Sequence, residues 1–155
     1  MKMKINLLII SLILASCSVN TQNESLKQTQ IPIHGTWKLI SGTTIEKNDT
    51  TVTYYTKELS FIKIINDSHF AFLNHDLTKG KGPTAAFSSG GGSYSLKGNL
   101  YTEHLEYCSD REWEGNDFSF TIIIKNDTLT QSGIEKVETA GVNRINIEKY
   151  IRLKN

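Results

Sequence analysis

Between residues 31 and 154, apolar and polar residues alternate in short runs that lack the period of about 3.6 residues typical of an amphipathic helix. Turn-forming residues separate these runs at intervals of ~8–12 positions, the spacing expected of a β-sandwich or β-barrel. Tight-turn dipeptides at 66–67, 98–99 and 126–127 favour antiparallel hairpins. The pattern predicts an all-β antiparallel meander with strands at 34–41, 51–55, 58–65, 69–75, 85–89, 93–97, 100–108, 118–125, 128–132 and 145–154.

Alternation within the runs also predicts which side chains point into the interior. Phe and Ile at the even positions of run 118–125 share one face, and Leu129 shares its face with Gln131. In the last run, the isoleucines share a face with Lys149, which predicts that this lysine points inward. Most inner faces therefore mix apolar with polar residues, a pattern that suits a barrel with an occupied interior better than a dry sandwich.

The predicted inner faces provide a set of candidate ligand-binding residues: Tyr94, Tyr101, Glu103, Tyr107, Phe120, Gln131 and Lys149. A buried carboxylate requires a partner, and Lys149 is the cation that the pattern offers to Glu103. Two interpretations stay open. The polar groups satisfy one another in a filled barrel, or the tyrosines and the Glu103–Lys149 pair orient a small ligand in a pocket lined by Phe and Ile.

The first thirty residues have a different composition. Lys2 and Lys4 precede an apolar stretch at 5–14 that is too short to span ~30 Å of hydrocarbon, as in a signal peptide. Residues 14–17, Leu-Ala-Ser-Cys, resemble the lipobox of bacterial lipoproteins. The resemblance implies a signal peptide at 1–16 and lipid attachment at Cys17. Residues 17–30 are rich in Asn, Gln, Ser and Thr, which predicts a flexible tether ahead of a folded domain at 31–155.

Charge and cysteine content narrow the function classes. The chain has 17 basic and 16 acidic residues, and removing Lys2 and Lys4 would leave 15 against 16. This balance argues against a nucleic-acid partner, which requires a clustered basic surface. With Cys17 acylated, Cys108 would be the only thiol, so we expect no intramolecular disulfide and interpret Cys108 as a small apolar filler.

Few motifs suggest chemistry. His104 and Glu106 share a strand face, but two ligands on an outward face are typical of solvated surface, so we expect no metal site and no cofactor. The glycine-rich segments at 80–82 and 90–92 do not match a phosphate-binding loop and are interpreted as a loop and a strand entry or bulge. Residues 110–114 are interpreted as a charged loop in which Trp113 anchors or covers the barrel mouth. Catalysis by Glu103 would require a shifted pKa and a reacting partner, so we expect a binding protein, not an enzyme.

The first predicted strand opens with Gly35-Thr36-Trp37, which matches the Gly-x-Trp signature of the lipocalins. This signature together with the segments GGSYSL at 91–96, YTEHLEY at 101–107 and IEKYIR at 147–152 resembles the small lipocalin-like lipoproteins of Gram-negative envelopes, most of them without an assigned function. The resemblance implies a closed barrel of about 8–10 strands. In such a barrel Trp37 closes the bottom, next to Gly35, and Arg152 near the end of the last strand packs over the indole.

The resemblance also implies a location. We expect a lipid-anchored protein of the cell envelope, on the periplasmic side of the outer membrane, that holds a small hydrophobic or amphipathic molecule inside the barrel. The alternative is a filled barrel that serves as a structural module or as an interaction module for another envelope protein. The family supplies no catalytic residues to transfer.

Overall fold

The computed structural model describes residues 31–83 and 85–154. The predicted signal peptide, the predicted lipid-attachment residue Cys17 and the predicted tether lie outside the described residues. No helix within the described ranges is long and apolar enough to cross a membrane. A 3-10 helix spans Arg111–Trp113, and the strands are β1 (Gly35–Glu46), β2 (Asp49–Tyr54), β3 (Leu59–Ile65), β4 (His69–Asp76), β5 (Phe87–Lys97), β6 (Leu100–His104), β7 (Tyr107–Cys108), β8 (Asp117–Lys125), β9 (Thr128–Val137) and β10 (Val142–Arg152).

Eight of these strands close into an antiparallel barrel. Neighbours follow the order β1-β3-β4-β5-β6-β8-β9-β10, and β10 returns to pair with β1. In this closing ladder Trp37 lies opposite Arg152, and Ile45 lies opposite Ile145. The two additional strands, β2 and β7, pair with β1 and β5. The predicted all-β antiparallel barrel is confirmed, and its architecture is consistent with a lipocalin-like fold.

A β-bulge in β1 divides the interior into two zones. The register with β10 shifts between Leu39 and Ser41, so Ile40 is the extra residue. Before the bulge Trp37 and Leu39 are buried, and after it Gly42 and Thr44 line an internal cavity. Because a slip of one residue reverses which side chains face inward, the same strand supplies apolar groups to one end and small groups to the other. We call the Trp37 end the bottom and the Thr44 end the mouth.

The bottom is packed with apolar and aromatic side chains. The predicted inward positions in β8 and β9 are confirmed, because Phe118, Phe120, Ile122 and Leu129 are all buried. Most of the remaining buried apolar residues belong to the segment just before β1, the first half of β1, the lower ends of β3 and β4, and β6 and β10. They include Ile33, Trp37, Leu39, Ile65, Phe70, Tyr101 and Tyr150.

The prediction that Lys149 of the last strand points inward is wrong. Tyr150, not Lys149, faces inward, since it lies opposite the buried Leu39 and Leu129 and directly opposed residues share a sheet face. Lys149 is exposed on the outer surface. The isoleucines of β10 face outward as well, where Ile145 lies opposite Ile134 of β9.

The prediction for Tyr107 is also wrong. The run at 100–108 does not form one strand, because β6 ends at His104 and β7 begins at Tyr107. Between them, Glu106 donates its backbone N–H to Gly91 and Leu105 donates to Asn116. This break interrupts the alternation, so Leu105 stays buried while Tyr107 is 67% exposed.

Residues 90–92 lie within β5 and do not separate two strands. The backbone of the β6–β7 connection crosses directly over them. A methyl group at Gly92 would collide with the carbonyl oxygen of His104 and lie 2.8 Å from the backbone nitrogen of Glu106. Glycine is therefore required here by the close approach of two backbones.

We expect Gly92→Ala to lower the free energy of unfolding by about 1–3 kcal/mol, because a clash with backbone atoms cannot be relieved by changing a rotamer. Gly42→Ala is the control, since the new methyl would lie 3.5 Å from the Tyr55 ring, an ordinary contact. Urea denaturation of both variants measures the difference. Equal stability of the two would contradict the proposed crossing.

Candidate ligand-binding site

Above the packed bottom, the barrel encloses a cavity of about 470 Å³. This volume falls in the range of about 300–1,000 Å³ typical of small-molecule sites. The cavity reaches the mouth beside Thr53 of β2 and Asp110, just before the 3-10 helix. Its walls are largely aromatic, formed by Tyr55, Phe61, Phe72, Trp113, Phe118 and Phe120.

The floor of the cavity is polar and is built from four different strands. Lys63 of β3 is only 3% exposed, and its Nζ donates to Glu103 Oε1 of β6 at 2.6 Å. The same Nζ donates to Gln131 Oε1 of β9 at 3.2 Å and lies 3.8 Å from Glu148 Oε2 of β10. A buried ammonium of this kind requires such partners, because its desolvation is otherwise prohibitive.

A second ion pair lies on the wall near the mouth. Glu135 accepts hydrogen bonds from Arg144 Nε and from Asn146 Nδ2, both at 2.7 Å. The Arg144 guanidinium carbon lies 5.5 Å from the centroid of the Trp113 ring, and that ring packs on Phe118 at 5.7 Å. Trp113 thus contributes to the cavity wall at the mouth.

Burial and neighbouring charges together raise the pKa values of Glu103, Glu135 and Lys63. Burial raises the pKa of Glu103, and the attraction of Lys63 only partly opposes this shift. Burial likewise raises the pKa of Glu135 against the attraction of Arg144. Burial alone would lower the pKa of Lys63, but the charges of Glu103 and Glu148 more than offset it, so the pKa of this lysine is raised.

Two amides in the cavity wall have a polar atom without a hydrogen-bond partner in the described part of the chain. Lys63 binds the Oε1 of Gln131, which leaves the Nε2 donor of that side chain unpaired although the residue is 1% exposed. Asn74 donates from Nδ2 to Ser88, which leaves its Oδ1 unpaired. An unsatisfied buried group costs about 1–3 kcal/mol, so these two amides do not form a fully satisfied polar interior.

The structure brings together three of the seven predicted ligand-binding residues. Glu103, Phe120 and Gln131 line the cavity. Tyr101 is fully buried in the core, where burial and the neighbouring Glu103 raise the pKa of its hydroxyl well above the ordinary value. The remaining three do not line the cavity: Tyr94, Tyr107 and Lys149.

Each of these three has a different environment. Tyr94 is half-buried, and its hydroxyl donates to the carbonyl oxygen of Asn66 at 2.8 Å, in the turn between β3 and β4. Tyr107 and Lys149 lie on the outer surface. The partner of Glu103 is therefore Lys63, which the sequence analysis missed. The available signal was its place in β3, where it shares a face with Phe61 and Ile65.

At the bottom of the barrel, Arg152 packs over Trp37. Its guanidinium carbon lies 4.1 Å from the centroid of the indole, and its nitrogens donate to the carbonyl oxygens of His34 and Pro32. A Cβ at Gly35 would lie 2.8 Å from Arg152 Nη1, so glycine leaves room for the guanidinium.

The other candidate groups lie in ordinary structural contacts. The Nδ1 of His104 lies 2.8 Å from Asp117 Oδ1 on the outer surface, and residues 31–83 and 85–154 hold no group of three metal-ligating side chains. Cys108 lines the cavity wall, and burial raises the pKa of its thiol.

No protein-family model matches the chain, and no curated protein matches it either. The geometry of the cavity is therefore the basis for inferring a function.

Proposed function

We propose that the protein binds a small amphipathic molecule inside the barrel, without catalysis. The observation that carries the proposal is a 470 Å³ cavity that combines aromatic walls with a polar floor of Lys63, Glu103 and Glu148. Aromatic walls provide apolar contact for the body of a ligand, and the polar floor provides orientation. A filled barrel is the alternative, but its polar groups should satisfy one another, and the Gln131 and Asn74 amides do not.

Binding is favoured over catalysis by the state of Glu103. Its carboxylate is held at 2.6 Å by Lys63, so the charge is committed to an ion pair. A general acid or base requires a reacting proton within hydrogen-bond reach and a pKa matched to the task. Glu103 serves the floor of the cavity as a structural partner of Lys63.

We expect native mass spectrometry of the full chain, purified from its own host in mild detergent, to show a bound small molecule. Thr44→Phe, which projects a ring into the cavity, should remove that mass. Thr43→Phe, one position along the same strand and outside the cavity lining, should retain it. A bare polypeptide mass, or a mass retained in Thr44→Phe, would favour the filled barrel.

We further propose that the chain is a lipoprotein of a bacterial envelope, anchored on the periplasmic side of the outer membrane. Support comes from the sequence of residues 2–17, with two lysines, a short apolar stretch and Leu-Ala-Ser-Cys. The polar segment at 18–30 gives the anchor a tether that, as a coil, would span roughly 20 Å. In this location the cavity would lie close to the lipid surface, and the barrel would be accessible to a protein partner in the envelope.

If Cys17 carries the lipid, Cys17→Ser should move the protein from the membrane fraction to the soluble fraction. Cys108→Ser is the matched control, because the same substitution in the cavity wall should leave the protein in the membrane fraction. Fractionation with a carbonate wash followed by immunoblotting measures both. Retention of Cys17→Ser in the washed membranes would refute anchoring through this residue.

A further inference from the structure

The cavity contains more acidic than basic side chains. Four carboxylates line it, Glu103, Glu135, Glu148 and, at the mouth, Asp110, whereas the described lining holds two cations, Lys63 and Arg144. With all groups ionised, four negative and two positive charges give a formal net charge of −2. Because the side chains of Glu103, Glu135 and Glu148 are mostly buried, water screens their charges only weakly, and the cavity favours a positive ligand.

Close contacts show which carboxylate in the floor lacks a cation of its own. Lys63 lies nearest to Glu103, at 2.6 Å, and Arg144 lies nearest to Glu135, at 2.7 Å. Glu148 is 3.8 Å from the shared Lys63, and its one short hydrogen bond comes from the Tyr150 hydroxyl at 2.7 Å. Its side chain is 15% exposed and lines the cavity. Glu148 is therefore the carboxylate in the floor without a cation of its own.

The direction of the pKa shifts is consistent with this charge imbalance. The pKa of Lys63 is raised despite its burial, owing to the carboxylates around it. Burial is the main cause of the raised pKa values of Tyr55 in the wall and of Tyr150 beneath the floor, and the negative charge of Glu148 adds to both shifts.

Two features beside Glu148 indicate what the rest of the ligand would contact. Gln131 lies directly opposite Glu148 in the ladder between β9 and β10, so its unpaired Nε2 donor belongs to the same corner of the floor. Phe61 and Phe72 stack at 5.7 Å in the wall and provide an apolar surface for a ring or a short chain. Aromatic faces also attract cations.

We infer that the cavity selects a small organic amine in its ammonium form, with the ammonium beside Glu148 and the apolar body against the aromatic wall. The inference rests on the proposed function and adds the chemical class of the ligand.

The test compares three probes of similar size and different charge on the full chain: 2-phenylethylammonium, 2-phenylethanol and 3-phenylpropanoate. Isothermal titration calorimetry at pH 7 measures each Kd. We expect the amine to bind roughly tenfold to a hundredfold more tightly than the alcohol, the range for a hydrogen bond to a charged group. We expect the carboxylate to bind no better than the alcohol.

Glu148→Gln should reduce the amine preference to within about threefold of the alcohol, because the charge is lost while an acceptor for Tyr150 is kept. Glu58→Gln is the matched control, since Glu58 is exposed and outside the cavity lining, and it should leave the preference unchanged. The three-probe comparison on the unmodified protein decides the question even if the Glu148 variant does not fold.

The outcomes separate the two proposals. Equal or tighter binding of the alcohol or the carboxylate would overturn the amine selectivity and leave the binding function intact. An amine preference that survives Glu148→Gln would also overturn the inference, because it would place the ammonium elsewhere. Failure of all three probes to bind would contradict both proposals.

Discussion

Replacing Lys63 with methionine is expected to lower the free energy of unfolding by about 3–5 kcal/mol at neutral pH, the cost of breaking a buried ion pair from one side. The side chain is 3% exposed, and its Nζ contacts Glu103, Gln131 and Glu148. Without it, Glu103 retains a desolvated charge that nothing compensates.

The deficit of Lys63→Met should shrink as the pH falls. Burial already raises the pKa of Glu103 above its ordinary value, and Lys63 is the group that opposes this rise. In the variant, the folded pKa of Glu103 therefore lies still further above the unfolded one. The folded state then binds a proton more readily than the unfolded state, so stability is recovered as the pH falls through the folded pKa.

Urea denaturation at neutral and mildly acidic pH measures both effects, with Lys149→Met as the matched control. Lys149 is exposed on the outer face of β10, so its replacement should change stability by no more than about 0.5 kcal/mol. Adding Glu103→Gln to Lys63→Met should restore part of the loss, since it removes the uncompensated charge. A Lys63→Met protein as stable as Lys149→Met at neutral pH would contradict the buried network.

The contrast between Lys63 and Lys149 shows what the sequence can and cannot predict. The strands and hairpins are local properties, set by alternation and by turn residues such as Asn126 and Asp127, which both have positive φ. The partner of Glu103 is not local. Lys63 is 40 residues away, and two strands separate β3 from β6 in the sheet, so the side chains meet only across the closed interior.

The other wrong predictions concern which face of a strand points into the barrel. The bulge at Ile40 and the break after His104 each reverse the alternation, and neither is marked by a glycine or a proline at the reversal itself. In β10 both faces carry apolar and polar residues. The more apolar face, with Ile145 and Ile151, lies outside, since the inner face at the mouth serves a polar cavity. Hydrophobicity alone selects the wrong face in a barrel of this kind.

Trp37→Ala is expected to lower the free energy of unfolding by about 3–5 kcal/mol, the usual cost of removing a large buried aromatic side chain. Trp37 is 0% exposed, and its Nε1 donates to the carbonyl oxygen of Ile33 at 2.7 Å. The substitution would also leave the Arg152 guanidinium without its indole, an interaction worth about 0.5–2 kcal/mol. Chemical denaturation measures the loss.

Trp113→Ala provides the comparison, because this second tryptophan is only half-buried at the mouth and should cost clearly less. Similar losses for the two tryptophans would contradict the role of Trp37 in closing the bottom.

Substitutions at the bottom and in the floor of the cavity should also differ in their effect on ligand binding. Trp37 does not line the cavity, so below its lowered melting midpoint Trp37→Ala should keep the amine preference, whereas Glu148→Gln should lose that preference with little change in stability. Trp37 would then contribute to stability without affecting selectivity, and Glu148 would contribute to selectivity with little effect on stability.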